Sequence, residues 1–124
     1  MNVVLWIAAA VLAAAFLAAG AMKLTQPKVK LAQSGMGWTE DFSPGAIKAI
    51  GALEVLAAIG LIVPAALDIV PDLVPVAAVG LVVLMLGAAV THLRRKESQM
   101  VAVNVVLLAV AAFVAWGRFD AQPF

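Results

Sequence analysis

Four apolar runs of membrane-spanning length constrain the fold of this chain more than any other feature. They cover residues 3–23, 44–64, 72–93 and 98–116, and each is close to the roughly 20 residues that a helix needs to cross a hydrocarbon core about 30 Å thick. A backbone in lipid must satisfy its hydrogen bonds within its own segment, so each run is predicted to be a helix. The sequence therefore predicts an all-α fold, a transmembrane four-helix bundle made of one domain, residues 1–124.

Composition supports the membrane prediction and excludes several kinds of function. The chain has 124 residues, of which 65% are hydrophobic and 12% are charged. A soluble domain of this length cannot bury so much apolar surface. The net charge of +1 provides no field that would attract nucleic acid, so no nucleic-acid partner is expected. With no cysteine and one histidine, disulfides, thiolate metal sites and thiol redox chemistry are excluded, and no catalytic or metal-binding residue is assigned.

Glu54 is an ionisable side chain well inside the second run, ten residues after Pro44 and so about 15 Å along a helix. A charge at the centre of a bilayer costs about 2.5–3.5 kcal/mol on insertion scales. Such a residue must face protein or water, become protonated, or find a partner. Ionisable residues in this position are functional by default, and the alternative is that Glu54 is a structural hydrogen-bonding group.

Basic residues predict the orientation of the chain. They concentrate at the first and third connections: Lys23, Lys28, Lys30, Lys48, Arg94, Arg95 and Lys96. By the positive-inside rule, the connections 24–43 and 94–97 are expected in the cytoplasm and both termini outside. No basic residue precedes the first run, so this run is interpreted as a retained span and not as a cleaved signal peptide.

In this topology, four helices each bring one polar residue to the cytoplasmic half of the bundle. These residues are Glu54, Lys23, His92 and Asn104, and together they form the predicted binding site. Asn104 should lie at a depth similar to that of Glu54, whereas Lys23 and His92 should lie nearer the interface. Unless Lys23 folds inward, we therefore expect desolvation to keep Glu54 neutral, so that it donates a hydrogen bond to Asn104.

Each of the other three residues also has an ordinary structural interpretation. Asn104 alone is typical of hydrogen bonding between membrane helices, and Lys23 alone is typical of a charge that snorkels to the interface. His92 could equally be an ordinary interface residue. The long connection 25–43 could be a simple link or could fold back as a lid.

Two short motifs resemble the DoxX-like family of small four-helix membrane proteins. The first run ends with Phe16-x-x-x-Gly20-x-x-Lys23-Leu24, and the second contains Gly51-x-x-Glu54 followed by Gly60. The resemblance implies a multi-pass protein of the cell (inner) membrane. In some members of the family it also implies a subunit of a quinone-linked or other membrane redox assembly. Because this chain has no cysteine, a redox role would depend on a partner or on a bound quinone.

Three functional hypotheses follow. The first is a non-catalytic accessory subunit of a membrane redox assembly, whose partners would be the lipid bilayer and another membrane protein or a second copy of the chain. The second is a binding or transport bundle that holds a quinone, lipid or other small amphiphile at Glu54. The third, an enzyme that uses Glu54 and His92 as acid and base, ranks last because both groups would have to reach one substrate.

Overall fold

The computed structural model describes residues 2–33, 37, 39 and 42–121 of the chain. Its helices are α1 (Asn2–Thr25), α2 (Lys28–Gln33), α3 (Pro44–Ala66), α4 (Leu73–Arg94) and α5 (Ser98–Trp116), and a π-helical turn, Gly117–Ala121, continues α5. The described residues contain no strand. The predicted all-α class is confirmed.

Local sequence signals explain where α3 begins and why it runs further than expected. Ser43 is the N-cap, its hydroxyl oxygen accepting a hydrogen bond from the Ala46 amide at 3.1 Å, and Pro44 follows as the first helical residue. At the other end, the helix extends two residues past Pro64. Pro64 has no N–H to donate to the Gly60 carbonyl, but the helix continues past it, ending two residues beyond the approximate bound predicted from the sequence.

The four long helices pack as two pairs that then meet. α1 packs mainly on α3 and α4 mainly on α5, while smaller contacts join α3 to α4 and α1 to α5. The core between them is built from aliphatic side chains and one phenylalanine: Ala9, Leu12, Phe16, Ala58, Leu61, Val74, Ala78, Leu81, Met85, Ala111, Val114 and Ala115. The cavity described below lies where the two pairs meet.

Most of the outer surface of the bundle is apolar. Ile7, Leu56 and Val106 each expose more than half of their surface, and four helices are long and apolar enough to cross a membrane. An apolar surface that surrounds a whole bundle is unfavourable in water and suits hydrocarbon. The predicted transmembrane four-helix bundle is therefore confirmed.

The two ends of the bundle differ in their number of basic residues. We call the end formed by residues 23–48 and 91–98 the basic end, because it carries seven of the eight Lys and Arg residues. The remaining one, Arg118, is buried at the opposite end, where it donates a hydrogen bond to the Asn2 side-chain oxygen at 2.8 Å and lies 6.0 Å from the Trp6 ring centroid. This contact ties the C-terminal turn to the start of α1.

Candidate functional site

A buried ion pair joins α1 to α3. The Lys23 Nζ lies 2.7 Å from the Glu54 Oε1, and the two side chains are only 7% and 5% exposed. At this distance and burial each charge compensates the other, so Glu54 has the partner that a carboxylate inside a membrane span requires.

This pairing corrects the expected surroundings of Glu54. The sequence predicted that Glu54 bonds to Asn104 while Lys23 lies near the interface, and named an inward Lys23 as the exception. The structure shows this exception: Lys23 points inward, and no hydrogen bond joins Glu54 to Asn104 among the described residues. The physical reason is that α1 continues to Thr25, which places Lys23 within the helix. Its long flexible stem can then carry the ammonium toward the carboxylate.

Two glycines bring α1 and α3 close enough for this pair to form. A Cβ atom at Gly20 would lie 2.6 Å from the Gly51 carbonyl oxygen, and one at Gly51 would lie 2.8 Å from the Lys23 Cβ. The helices therefore touch backbone to backbone, as membrane helices do at small residues. Each glycine precedes its charged residue by three positions, so this crossing directly positions Lys23 and Glu54.

His92 is held by a carboxylate from the connection that follows it. Its Nδ1 lies 2.8 Å from the Glu97 Oε1, and the imidazole is 5% exposed while the Glu97 side chain is 28% exposed. Arg95 approaches the same oxygen at 3.5 Å. The histidine ring is therefore fixed in orientation at the basic end of the bundle.

Asn104 supplies a polar group that the described residues do not satisfy. The residue is 6% exposed, and its Nδ2 is buried without a hydrogen-bond partner in the described part of the chain. A buried amide donor without an acceptor is costly, so it calls for explanation. This atom does not provide the hydrogen bond between helices that is typical of a membrane asparagine.

One cavity brings all four predicted site residues together. It has a volume of about 480 Å³, within the usual range for small-molecule sites. Lys23, Glu54, His92 and Asn104 are among its lining residues, and the others are mostly apolar or small: Ala15, Phe16, Ala19, Phe42, Ile50, Val83, Leu84, Met85, Gly87, Ala88, Thr91, Met100, Val103 and Leu107. We call this space the inner cavity.

The inner cavity combines polar groups with an apolar wall that is not sealed. Its lining residues Val83 and Val103 keep 63% and 45% of their surface exposed. An amphiphile from the surrounding lipid could therefore enter beside apolar side chains. The geometry provides hydrogen-bonding groups for a head and apolar surface for a tail.

The end of the long connection also contributes to the inner cavity. Phe42, which directly precedes the α3 cap, lines the space together with residues of the four long helices. This position follows from the start of α3 and leaves both interpretations of the connection, a simple link or a lid, open. Residues 34–36, 38, 40 and 41 of the connection lie outside the described residues.

Sequence reasoning missed three contacts that shape the site and the bundle. Glu97 was not connected with His92, although it is the only carboxylate in its connection. Lys48 was counted only as a topology signal, but its Nζ donates to the Leu24 carbonyl at the end of α1 at 3.0 Å. The Arg118 contact with Asn2 joins residues 116 positions apart, and no local pattern indicates it.

Comparisons with known proteins identify one similarity. A sequence model described as the DoxX-like family matches residues 7–114, which include all four residues of the predicted site. Comparison with curated proteins and with solved structures gave no match. Among the described residues, no group of three His, Asp or Glu side chains could hold a metal ion.

Proposed function

Because the chain belongs to the DoxX-like family, a family of small membrane proteins, we propose that it is an integral membrane protein that binds a small amphiphile in the inner cavity. The observation that carries this proposal is the cavity of about 480 Å³, which combines four polar residues from four helices with an otherwise largely apolar lining. A quinone and a lipid both have this division between polar head and apolar tail.

The charges in the inner cavity favour an uncharged head group. Lys23 and Glu54 already compensate each other at 2.7 Å, so a charged ligand would have to disrupt the pair or remain uncompensated. The Asn104 Nδ2 offers a buried donor. An amphiphile whose head presents a carbonyl or ether oxygen would satisfy this donor and leave the ion pair intact.

The test is thermal unfolding of the purified protein in detergent with two probes, decylubiquinone and dodecane. A ligand that binds only the folded state stabilises it by about 2.7 kcal/mol at one hundred times its Kd. We expect decylubiquinone to raise the melting temperature of the natural protein. The increase should be smaller for Asn104→Leu. Val105→Ala, on the same helix but outside the cavity lining, is the matched control and should respond like the natural protein.

Two results would contradict this function. Equal stabilisation by dodecane and decylubiquinone would show that the cavity selects only for apolar volume. The absence of any shift with decylubiquinone and with a matching long-chain ether lipid would show that the cavity does not bind such amphiphiles.

The accessory-subunit hypothesis is our second proposal and rests on the family. The inner cavity gives the chain a site of its own, which is why binding ranks first. Copurification of a membrane redox enzyme with the intact protein would support the accessory role, and a chain that purifies without such a partner would oppose it.

The enzymatic hypothesis ranks third because both candidate groups are engaged. Glu54 is paired with Lys23 and His92 with Glu97. A reaction that used Glu54 and His92 as acid and base would first have to break these contacts.

A further inference from the structure

A second cavity lies at the basic end, outside the four-helix core. It has a volume of about 450 Å³ and lies where α1 ends, α2 begins and α3 starts. Its lining residues are Lys23, Thr25, Gln26, Pro27, Lys28, Pro44, Ile47 and Lys48. We call this space the interface cavity, because α2 and the ends of α1 and α3 would lie at the membrane surface.

The interface cavity has an excess of positive charge. Three of its lining residues are lysines and none is acidic. Glu54 compensates Lys23, whereas Lys28 has no hydrogen bond or ion pair with any described residue. Lys48 uses one N–H on the Leu24 carbonyl, which leaves two for another acceptor. A single anion between Lys28 and Lys48 would therefore be attracted by both.

Gln26 adds an independent sign that a ligand belongs in the interface cavity. Its Oε1 is buried and has no hydrogen-bond partner among the described residues. A hydroxyl group on a ligand, such as one on a phospholipid headgroup, would donate to this oxygen. The cavity thus favours a ligand that carries both a negative charge and a hydroxyl group.

The surroundings favour a lipid over a free anion. Pro27, Pro44 and Ile47 give the cavity an apolar side, and the neighbouring Leu24 and Val29 are exposed on the outer surface, by 38% and 68%. Acyl chains could lie along this surface while the headgroup occupies the cavity. Basic pockets between membrane helices on the cytoplasmic side are known to bind anionic headgroups.

We propose that the interface cavity binds an anionic phospholipid with a hydroxyl-bearing headgroup, such as phosphatidylglycerol, whose phosphate lies between Lys28 and Lys48. The headgroup hydroxyl donates to the Gln26 side-chain oxygen. This site is separate from the amphiphile site of the inner cavity, and Lys23 is the residue that lines both.

The test counts lipids that remain bound to the full chain in native mass spectrometry, after reconstitution in nanodiscs of phosphatidylcholine and phosphatidylglycerol in equal parts. The natural protein should retain phosphatidylglycerol in preference to phosphatidylcholine. Each lysine near a membrane surface strengthens anionic-lipid binding by about fivefold. The variant Lys28→Gln with Lys48→Gln should therefore lose most of the preference.

The matched control is Lys30→Gln with Lys96→Gln, which removes two positive charges from the same end at residues that do not line the cavity. It should keep the preference. If both double variants lose it equally, the basic end acts only through its general field and the proposal is wrong. If Lys28→Gln with Lys48→Gln keeps it, the proposal is equally wrong.

Two further measurements separate the remaining explanations. Lys28→Gln alone leaves the Lys48 bond to the Leu24 carbonyl intact. If the double variant does not fold, this single variant is measured instead, and its binding of phosphatidylglycerol should fall by about fivefold. Excess inorganic phosphate should not displace the lipid. Displacement would show that the cavity recognises a free phosphate and would overturn the assignment to a phospholipid.

Discussion

The contact between the Lys23 ammonium and the Glu54 carboxylate determines how charge is kept inside the bundle. The two side chains are only 7% and 5% exposed. A buried pair of this kind contributes little compared with two apolar residues, but breaking it leaves one uncompensated charge. Its stability effect should therefore appear in single variants and largely disappear in a double variant.

We predict that Glu54→Gln destabilises the protein by about 3–5 kcal/mol, because Lys23 would remain buried without a counter-ion. The variant Lys23→Met with Glu54→Leu should recover most of this loss. The measurement is unfolding in detergent by heat or by added denaturing detergent. Glu97→Gln is the control, since its side chain is 28% exposed and such pairs contribute about 0–1 kcal/mol. Equal losses for Glu54→Gln and Glu97→Gln would support the neutral Glu54 expected from the sequence.

The sequence predicted four residues that the structure places around one cavity, but it did not predict how they pair. Glu54 and Asn104 stood out because polar groups are rare in apolar runs, and all four predicted residues line one cavity. The pairing depended on the direction of the Lys23 stem, since a lysine near a helix end can extend toward water or toward the core. Spacing along the chain does not distinguish these two directions.

At the scale of the helix, the crossing of α1 and α3 at Gly20 and Gly51 has no room for a larger side chain at Gly20. A Cβ at Gly20 would meet backbone, the Gly51 carbonyl oxygen, and backbone atoms cannot move aside as the end of a side chain can. The helices would have to separate, which would also lengthen the distance between Lys23 and Glu54.

We predict that Gly20→Ala destabilises the bundle by about 1–3 kcal/mol, the usual effect of overpacking. Gly80→Ala is the matched control in α4, where an added Cβ would have no heavy atom within 4 Å. It should be neutral or stabilising by about 0.5–1 kcal/mol, because alanine favours a helix over glycine. Unfolding in detergent measures both. Similar effects of the two substitutions would mean that the crossing is looser than the structure shows.

Helix positions could be predicted from the sequence, while helix neighbours could not. The predicted spans and the four long helices differ by at most two residues at any end, and the ends of α1 and α3 show the largest differences. A membrane helix is apolar on the faces that meet lipid and on those that meet protein. Its hydrophobic pattern therefore does not reveal which face packs against which helix.

At the scale of the whole molecule, the asymmetry of charge predicts the orientation. The basic end should lie in the cytoplasm, and the end formed by Asn2 and Arg118 should lie outside. Cysteines introduced at Lys28 and Lys96 should be shielded from an impermeant thiol reagent in intact cells, and a cysteine at Asp72 should react. All three should react after the membrane is opened. Labelling at positions 28 and 96 in intact cells, with position 72 shielded, would show that the orientation is the reverse of the predicted one.

The pairing of α1 with α3 has a consequence for how the protein is made. These helices leave the ribosome before α4 and α5, and they already contain Glu54 and its counter-ion. We therefore expect the first half of the chain to enter the membrane with the charge of Glu54 already compensated by Lys23, before His92 and Asn104 are synthesised. Had the partner of Glu54 come from α5, the carboxylate would have to be accommodated alone until synthesis was nearly complete.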